Sequence, residues 1–145
     1  MATVNIYLIF KNKCEEAFNF YKTVFGGEFP FLGRYKDMPQ ENNTCPPEDL
    51  NKIMHVSLPV SKETVIMGCN GLETPGREII TGNNFSISVN TGSREEADSI
   101  FNGLAAGGRV GMPMNKTFWG SYFGMLTDKF GINWMISFEE AAPQS

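Results

Sequence analysis

The amino-acid sequence predicts an α+β protein of two βαβββ modules, because a helix pattern occurs twice and an alternating strand pattern precedes each copy. A shift of 80 positions, for example from Ala17 to Ala97, aligns two segments with apolar residues at i, i+3, i+4 and i+7. The aligned pairs are Ala17 and Ala97, Phe20 and Ile100, Tyr21 and Phe101, and Val24 and Leu104. We therefore expect two helices of the same design.

Residues at the ends of both segments support this prediction. Each segment opens with a capping-box pattern, in which a polar residue precedes a glutamate by three positions. The pairs are Asn12 with Glu15 and Ser93 with Glu96. Glycines at 26–27 and 107–108 follow the two segments, and glycine readily adopts the left-handed backbone that ends a helix.

The strand before the second helix is predicted from strict alternation over residues 84–90. Phe85, Ile87 and Val89 fall on one face, and Asn84, Ser86 and Ser88 fall on the other. Residues 5–10 show the same pattern before the first helix, with Ile6, Leu8 and Phe10 on the apolar face. Six further strands are predicted over residues 28–36, 53–60, 64–69, 109–114, 122–128 and 133–138.

These elements predict one domain over residues 1–145. The first module covers about 1–70, a glycine-containing linker about 70–82, and the second module about 83–139. Residues 37–52, which are rich in Pro, Asn and Glu, are predicted to form a long surface loop.

Composition excludes several classes of partner. The net charge of −4 argues against nucleic acid, which needs a Lys/Arg patch. No apolar run approaches the roughly 20 residues of a membrane-spanning helix. The N-terminal segment lacks the basic start and small-residue cleavage site of a signal peptide, and the three cysteines form no CxxC pair. We expect a cytoplasmic protein that binds neither nucleic acid nor membrane.

Four stretches, in order along the chain, resemble the PhnB-like branch of the glyoxalase/bleomycin resistance/extradiol dioxygenase (vicinal oxygen chelate) superfamily. They are Tyr7-Leu-Ile-Phe with the Cys14-Glu-Glu-Ala helix, Lys52-Ile-Met-His55, Thr117-Phe-Trp-Gly-Ser-Tyr-Phe-Gly-Met125, and Thr127-Asp-Lys-Phe-Gly-Ile-Asn-Trp-Met135. The resemblance implies half-open barrel sheets with helices on their convex faces, a small-molecule ligand on the concave side, and a homodimer.

Metal-dependent members of that superfamily hold a divalent ion with His, Glu or Gln on the first and last strands of each module. The matching positions here are Asn5 or Tyr7, Val65 or Met67, Ser86, and Met135. The last match rests on the turn 128–131, which resembles the turn before the ligand carboxylate. Because a thioether is a poor ligand for zinc, iron, manganese or magnesium, we expect no metal and no other cofactor.

His55, the single histidine, is the best candidate for a catalytic or anchoring residue, since histidine gains or loses a proton near neutral pH. The alternative is a half-buried strand residue bonded to a backbone carbonyl. Trp119 and its aromatic neighbours suit either a ligand pocket or a dimer interface, and the methionines suit core filling. The predicted pocket consists of Tyr7, His55, Met67, Ser86, Trp119, Met125 and Met135.

Three functional hypotheses follow. The first is a small-molecule-binding protein without the usual divalent metal. The second is a metal-dependent lyase, isomerase or dioxygenase-type enzyme of the same superfamily. The third is a metal-free acid–base enzyme that uses His55 with Tyr7 or Tyr122. The methyltransferase label common in the PhnB-like branch is disfavoured, because the glycines of 103–111 end a helix, whereas cofactor-binding glycines open one.

Overall fold

A computed structural model describes residues 2–39, 45–73 and 75–140. The chain divides into two compact units, the first ending at Ile80 and the second beginning at Thr81. Both units have the predicted βαβββ order. The first contains β1 (Ile6–Phe10), α1 (Cys14–Phe25), β2 (Phe31–Arg34), β3 (Ile53–Pro59) and β4 (Val65–Asn70). The second contains β5 (Ile87–Asn90), α2 (Arg94–Ala105), β6 (Arg109–Lys116), β7 (Ser121–Thr127) and β8 (Asn133–Glu139).

Each unit forms one four-stranded sheet, and the two sheets have equivalent strand orders, β1-β4-β3-β2 and β5-β8-β7-β6. The first strand of each unit pairs in parallel with the last, and the remaining pairs are antiparallel. This equivalence confirms the internal repeat inferred from the helices.

The helix of the first unit packs on β3 and β4. Phe18 of α1 is buried, and its ring lies against the backbone of Gly68, where an added Cβ would come within 2.7 Å of the Phe18 ring and of the Leu8 carbonyl. Residues paired with Gly68 in the sheet, Leu8 and Val56, are also buried. The absence of a side chain at Gly68 therefore lets the helix approach the sheet.

The second unit repeats this arrangement. The ring of Phe101 in α2 lies against Gly124 of β7, where an added Cβ would be 2.8 Å from the ring. Trp134 and Ile136 of β8 are fully buried beside it. Both cores are thus built from one face of a sheet and the apolar stripe of one helix.

One prediction about the ends of the helices is wrong. Asn12 and Glu15 do not form a capping box: Lys13 is the N-cap residue of α1, and the Glu15 carboxylate instead accepts hydrogen bonds from the Arg34 guanidinium at 2.8 and 3.1 Å. At α2 the Ser93 hydroxyl accepts from the Glu96 backbone N–H at 3.1 Å, as predicted, but the Glu96 carboxylate accepts from the Gly92 backbone N–H and not from that of Ser93.

The predicted strands 84–90 and 28–36 are both shorter than expected. Phe85 lies outside β5 and is 55% exposed, so it does not belong to the buried face. Its carbonyl accepts a hydrogen bond from the Asn133 side chain at 3.3 Å in place of a sheet partner. After β2 the chain enters a single 3₁₀ turn, Tyr35–Asp37, and a second follows at Pro47–Asp49. Residues 40–44 of the predicted 37–52 loop lie outside the described residues.

Neither helix in the described residues is long and apolar enough to cross a membrane.

We predict that Gly68→Ala and Gly124→Ala each lower the free energy of unfolding by about 1–3 kcal/mol, because an added methyl group overpacks the helix–sheet contact. Gly111→Ala is the matched control, since a Cβ there would lie 3.7 Å from its nearest neighbour, an ordinary contact. Urea denaturation of the three variants measures the difference. Equal stability of all three would contradict this description of the core.

Candidate functional site

The first sheet has a helix-free face, opposite the one that packs on α1. Successive strand residues alternate between faces, so the residues between the buried ones lie on this second face. They are Tyr7, Ile9, Phe31, His55, Ser57, Met67 and Cys69. Tyr7, Ile9 and Phe31 are 46%, 53% and 51% exposed, which is unusual for large apolar side chains on a sheet and leaves this face accessible to a ligand.

Tyr7 and His55 meet on this face although they are far apart in sequence. The Tyr7 hydroxyl lies 3.4 Å from His55 Nδ1, and the ring centroids are 5.6 Å apart. This is a long hydrogen bond, of the kind that shortens when a ligand binds. Met67 is the direct neighbour of Tyr7 in the sheet. The structure therefore brings together three of the seven residues that the sequence indicated.

Phe31 forms an apolar wall beside the imidazole, with ring centroids 5.6 Å apart. Its position depends on Gly33, which pairs with His55 across β2 and β3. A Cβ at Gly33 would lie 3.0 Å from the Phe31 ring. Phe31 was not predicted as a site residue, because the predicted strand 28–36 shows no clear alternation.

Cys69 is a second residue of this face that was not predicted as part of a site. It follows Met67, the sheet neighbour of Tyr7, by two positions in β4. Burial raises the pKa of the Cys69 thiol, and the nearby Tyr7 side chain partly opposes this rise. Burial, and then the nearby Cys69 thiol, raise the pKa of Tyr7 well above its ordinary value. Both groups are thus protonated at neutral pH. Side chains alternate between the two faces of a strand, and Cys69 follows Met67 by two positions. The sequence therefore contained the signal that places Cys69 on the same face as Met67.

The second sheet has its own helix-free face, on which Met125 and Met135 are paired neighbours and Ser88 pairs with Met135. Trp119 lies in the turn before β7, is 57% exposed, and contacts the Phe123 ring with centroids 6.2 Å apart. Ser86 precedes β5 and is not part of the sheet. Four of the seven predicted residues therefore belong to the second unit, and the other three to the first.

Tyr122, the alternative partner of His55 in an acid–base pair, belongs to the second unit and has other partners. Its hydroxyl donates to Asp98 of α2 at 2.6 Å, and the Arg94 guanidinium lies 4.2 Å from its ring centre. The bond to Asp98 raises the pKa of Tyr122. Tyr7, whose hydroxyl lies beside the imidazole, is therefore the better of the two tyrosines to form an acid–base pair with His55.

The 128–131 turn is held together by the carboxylate of Asp128. Asp128 is buried and accepts hydrogen bonds from the Trp134 indole at 2.9 Å and from the backbone N–H groups of Phe130 and Ile132. Gly131 adopts a φ of 90°, which favours glycine. The turn leads into β8, where Met135 pairs with Met125 on the helix-free face of the second sheet.

The residues at these positions do not fit a divalent metal. The positions that the resemblance predicts as ligands supply thioethers, a phenol or an amide, and a serine hydroxyl, whereas zinc, iron, manganese and magnesium are held mainly by imidazole and carboxylate side chains. Within the three described ranges, no three His, Cys, Asp or Glu side chains are grouped as a metal site. The absence of metal stays a prediction.

The glycines at 107–108 connect the end of α2 to β6, in the order expected from sequence. A nucleotide-type cofactor loop runs from a strand into a helix, where helix N–H groups meet the ligand. These glycines therefore do not form such a loop.

Comparisons with known proteins identify relatives along nearly the whole chain. The sequence model of the family described as 3-demethylubiquinone-9 3-methyltransferase matches residues 2–137. Protein YjdN of Escherichia coli (strain K12) is 28% identical over 94% of this chain and 95% of its own.

Solved structures agree with this. Protein PA1353 from Pseudomonas aeruginosa has a TM-score of 0.83 and 35% identity, covering 97% of this chain and 100% of its own. A putative 3-demethylubiquinone-9 3-methyltransferase, PhnB protein, from Bacillus cereus has a TM-score of 0.73 and 25% identity, covering 94% and 99%. The fold alone is shared with a glyoxalase/bleomycin resistance protein/dioxygenase family enzyme from Burkholderia phytofirmans, at TM-score 0.61 and 15% identity, covering 93% and 96%.

The buried thiol of Cys14 makes the stability of the fold depend on pH. It is fully buried, and burial raises the pKa of its thiol from 9.0 to about 12. Because the folded value is the higher one, the unfolded chain releases this proton first as pH rises. The contribution of the protonated Cys14 thiol to the free energy of unfolding is fully present below pH 9 and is lost as pH rises toward 12.

We therefore predict that wild type loses stability relative to Cys14→Ala between pH 9 and pH 12, by at most about 1.4 kcal/mol per pH unit. Urea denaturation at pH 7, 9 and 10 measures the difference. A constant difference across this range would mean that Cys14 is not buried as described.

Proposed function

We propose that this chain, which belongs to the family described as 3-demethylubiquinone-9 3-methyltransferase within the glyoxalase/bleomycin resistance superfamily, binds a small and largely apolar molecule at Tyr7 and His55. The observation that carries the proposal is the Tyr7–His55 pair, 3.4 Å apart on an exposed sheet face rich in apolar side chains. Binding sites combine these two features, a mostly apolar lining and a few polar groups that fix orientation.

The lining suggests which molecule fits. Ile9 and Phe31 offer exposed apolar surface on either side of the polar pair, and Met67 offers an adaptable thioether beside Tyr7. Tyr7 donates one hydrogen bond, and the imidazole accepts or donates another according to its tautomer. A planar molecule with one polar oxygen, such as an aromatic carbonyl compound, would satisfy these groups.

Metal-free acid–base catalysis is the second candidate function. It is favoured by the contact between Tyr7 and His55, since a phenol and an imidazole within hydrogen-bond reach can pass a proton to or from a ligand. Catalysis adds to the binding proposal and uses the same two groups. The metal-dependent alternative is less favoured, because the donors at the superfamily's ligand positions are poor ones for a divalent ion.

Trp119 is proposed separately as a contact residue of the second unit. Phe118 beside it is 98% exposed, so this turn presents two aromatic rings to solvent. Such an exposed aromatic pair suits a ligand or the second subunit of a homodimer, and the chain alone supports both.

We predict that small aromatic carbonyl probes, acetophenone and benzamide, raise the thermal midpoint of the wild-type protein. Tyr7→Phe and His55→Ala should each weaken binding by roughly five- to tenfold, the loss expected for one hydrogen bond. Tyr122→Phe is the matched control, because it removes a hydroxyl that is bonded to Asp98. Thermal-shift titrations of the four proteins measure this.

Two results would contradict the proposal. One is a probe that binds wild type, Tyr7→Phe and His55→Ala equally. The other is a stoichiometric divalent metal in elemental analysis of the purified protein, which would favour the metal-dependent enzyme instead.

A further inference from the structure

Ser57 of β3 lies on the helix-free face of the first sheet, in the same row of side chains as Tyr7. The row follows from the register of the sheet, in which Tyr7 pairs with Met67 and Met67 pairs with Ser57. Phe31 of β2 pairs with Ser57 on its other side and ends the row. Ser57 is half-buried, and in the part of the chain that the structure describes its hydroxyl has no hydrogen-bond partner.

The ring of Phe31 is directed away from this hydroxyl. It leans along β2 over Gly33, where its nearest atoms are 3.0 and 3.1 Å from the position of a Cβ. Gly33 pairs with His55, and the Phe31 ring accordingly lies beside the imidazole, with centroids 5.6 Å apart. Because Gly33 has no side chain, the ring has room there and does not have to cover Ser57, its direct neighbour in the sheet.

The polar groups of this face therefore lie at two positions with an apolar side chain between them. At one position the Tyr7 hydroxyl and the His55 imidazole are 3.4 Å apart, and at the other is the hydroxyl of Ser57. His55 and Ser57 are two residues apart on β3, which separates their Cα atoms by about 6.6 Å. Met67 lies between Tyr7 and Ser57 in the row, and its thioether offers an apolar surface on which a ring can rest.

We infer that Ser57 is a further ligand-binding residue, and that the ligand of this face is an aromatic carbonyl compound with a second polar group at the opposite end of its ring. The ring lies on Met67 beside Phe31, and the second group bonds to the Ser57 hydroxyl. This inference rests on the proposed function, because the carbonyl must bind at Tyr7 and His55. It adds a third polar contact and narrows the class of ligand.

The chemistry of the face favours a neutral second group, such as a hydroxyl. The described strand residues of this face include no Lys, Arg, Asp or Glu, so a charged group would lose water without gaining a partner charge. A serine hydroxyl both donates and accepts, and it can therefore bond to a phenol. A hydroxyl beside the ligand's carbonyl would bond to that carbonyl instead, and only one farther along the ring is free to reach Ser57.

The test compares 4-hydroxyacetophenone with 4-methylacetophenone, which is similar in size and lacks the hydroxyl. Isothermal titration calorimetry of the full chain at pH 7 gives the two dissociation constants, and their ratio measures the preference for the hydroxyl. Ser57→Ala should lower this preference about three- to tenfold relative to wild type, the effect of one hydrogen bond. Ser57→Thr keeps a hydroxyl and suits a strand, so it should retain the preference.

Ser88→Ala is the matched control, because Ser88 is a strand residue on the helix-free face of the second sheet. It should keep the wild-type preference. An equal preference in wild type and Ser57→Ala would overturn the inference, as would an equal loss in Ser57→Ala and Ser88→Ala. Should Ser57→Ala fail to fold, Ser57→Cys replaces it, since a thiol is a weak hydrogen-bonding group and the same loss is expected.

The position of the second group has its own test. 2-Hydroxyacetophenone should bind no more tightly than acetophenone, because its hydroxyl is bonded to its own carbonyl. A gain in affinity over acetophenone that is equal for the 2-hydroxy and 4-hydroxy isomers would contradict a group at the opposite end of the ring.

Failure here is distinguishable from failure of the binding proposal. Wild type that binds acetophenone, with a hydroxyl preference unaffected by Ser57→Ala, overturns only the role of Ser57. Wild type that binds neither acetophenone nor its 4-hydroxy derivative overturns the binding proposal and this inference with it.

Discussion

The ring of Phe18 lies over Gly68 in the first sheet, and the ring of Phe101 lies over Gly124 in the second. In both places the missing side chain lets an aromatic ring from the helix reach the sheet backbone. This contact fixes which face of each sheet packs on its helix. Because a shift of one residue would move every side chain to the other face, the same contact also fixes the residues of the helix-free face.

The candidate site is a consequence of that constraint. With Leu8, Val56 and Gly68 on the helix side, their neighbours Tyr7, His55 and Cys69 must lie on the other side. The polar groups are then held by sheet hydrogen bonds and not by a mobile loop. Strands position side chains well, which suits a binding pair such as Tyr7 and His55, whose geometry must be held closely.

Much of the fold was predictable from the sequence, because its signals are local. They are the spacing of apolar residues along each helix, the alternation of apolar and polar residues along each strand, and the glycines that follow each helix. The capping box at Asn12 was wrong because Glu15 found a partner in Arg34, which lies far away in the chain. The strand at 84–86 failed for a similar reason, since the Asn133 side chain binds the Phe85 carbonyl. Both errors come from side-chain partners that no local pattern reveals.

The site was less predictable than the fold. Tyr7, His55 and Met67 were identified by strand parity and family resemblance, but Phe31 and Cys69 were not. Phe31 lies beside His55 because β2 and β3 pair in the observed register, and one sequence does not specify sheet register.

The central claim is that a ligand binds at the Tyr7–His55 pair, and NMR of the imidazole tests it most directly. The chain has one histidine, so a histidine-selective ¹⁵N spectrum reports on His55 alone. The account predicts that acetophenone shifts both ring nitrogens of wild type and that Tyr7→Phe changes the Nδ1 signal before any ligand is added. A probe that stabilises the protein but leaves the His55 nitrogens unmoved would contradict it.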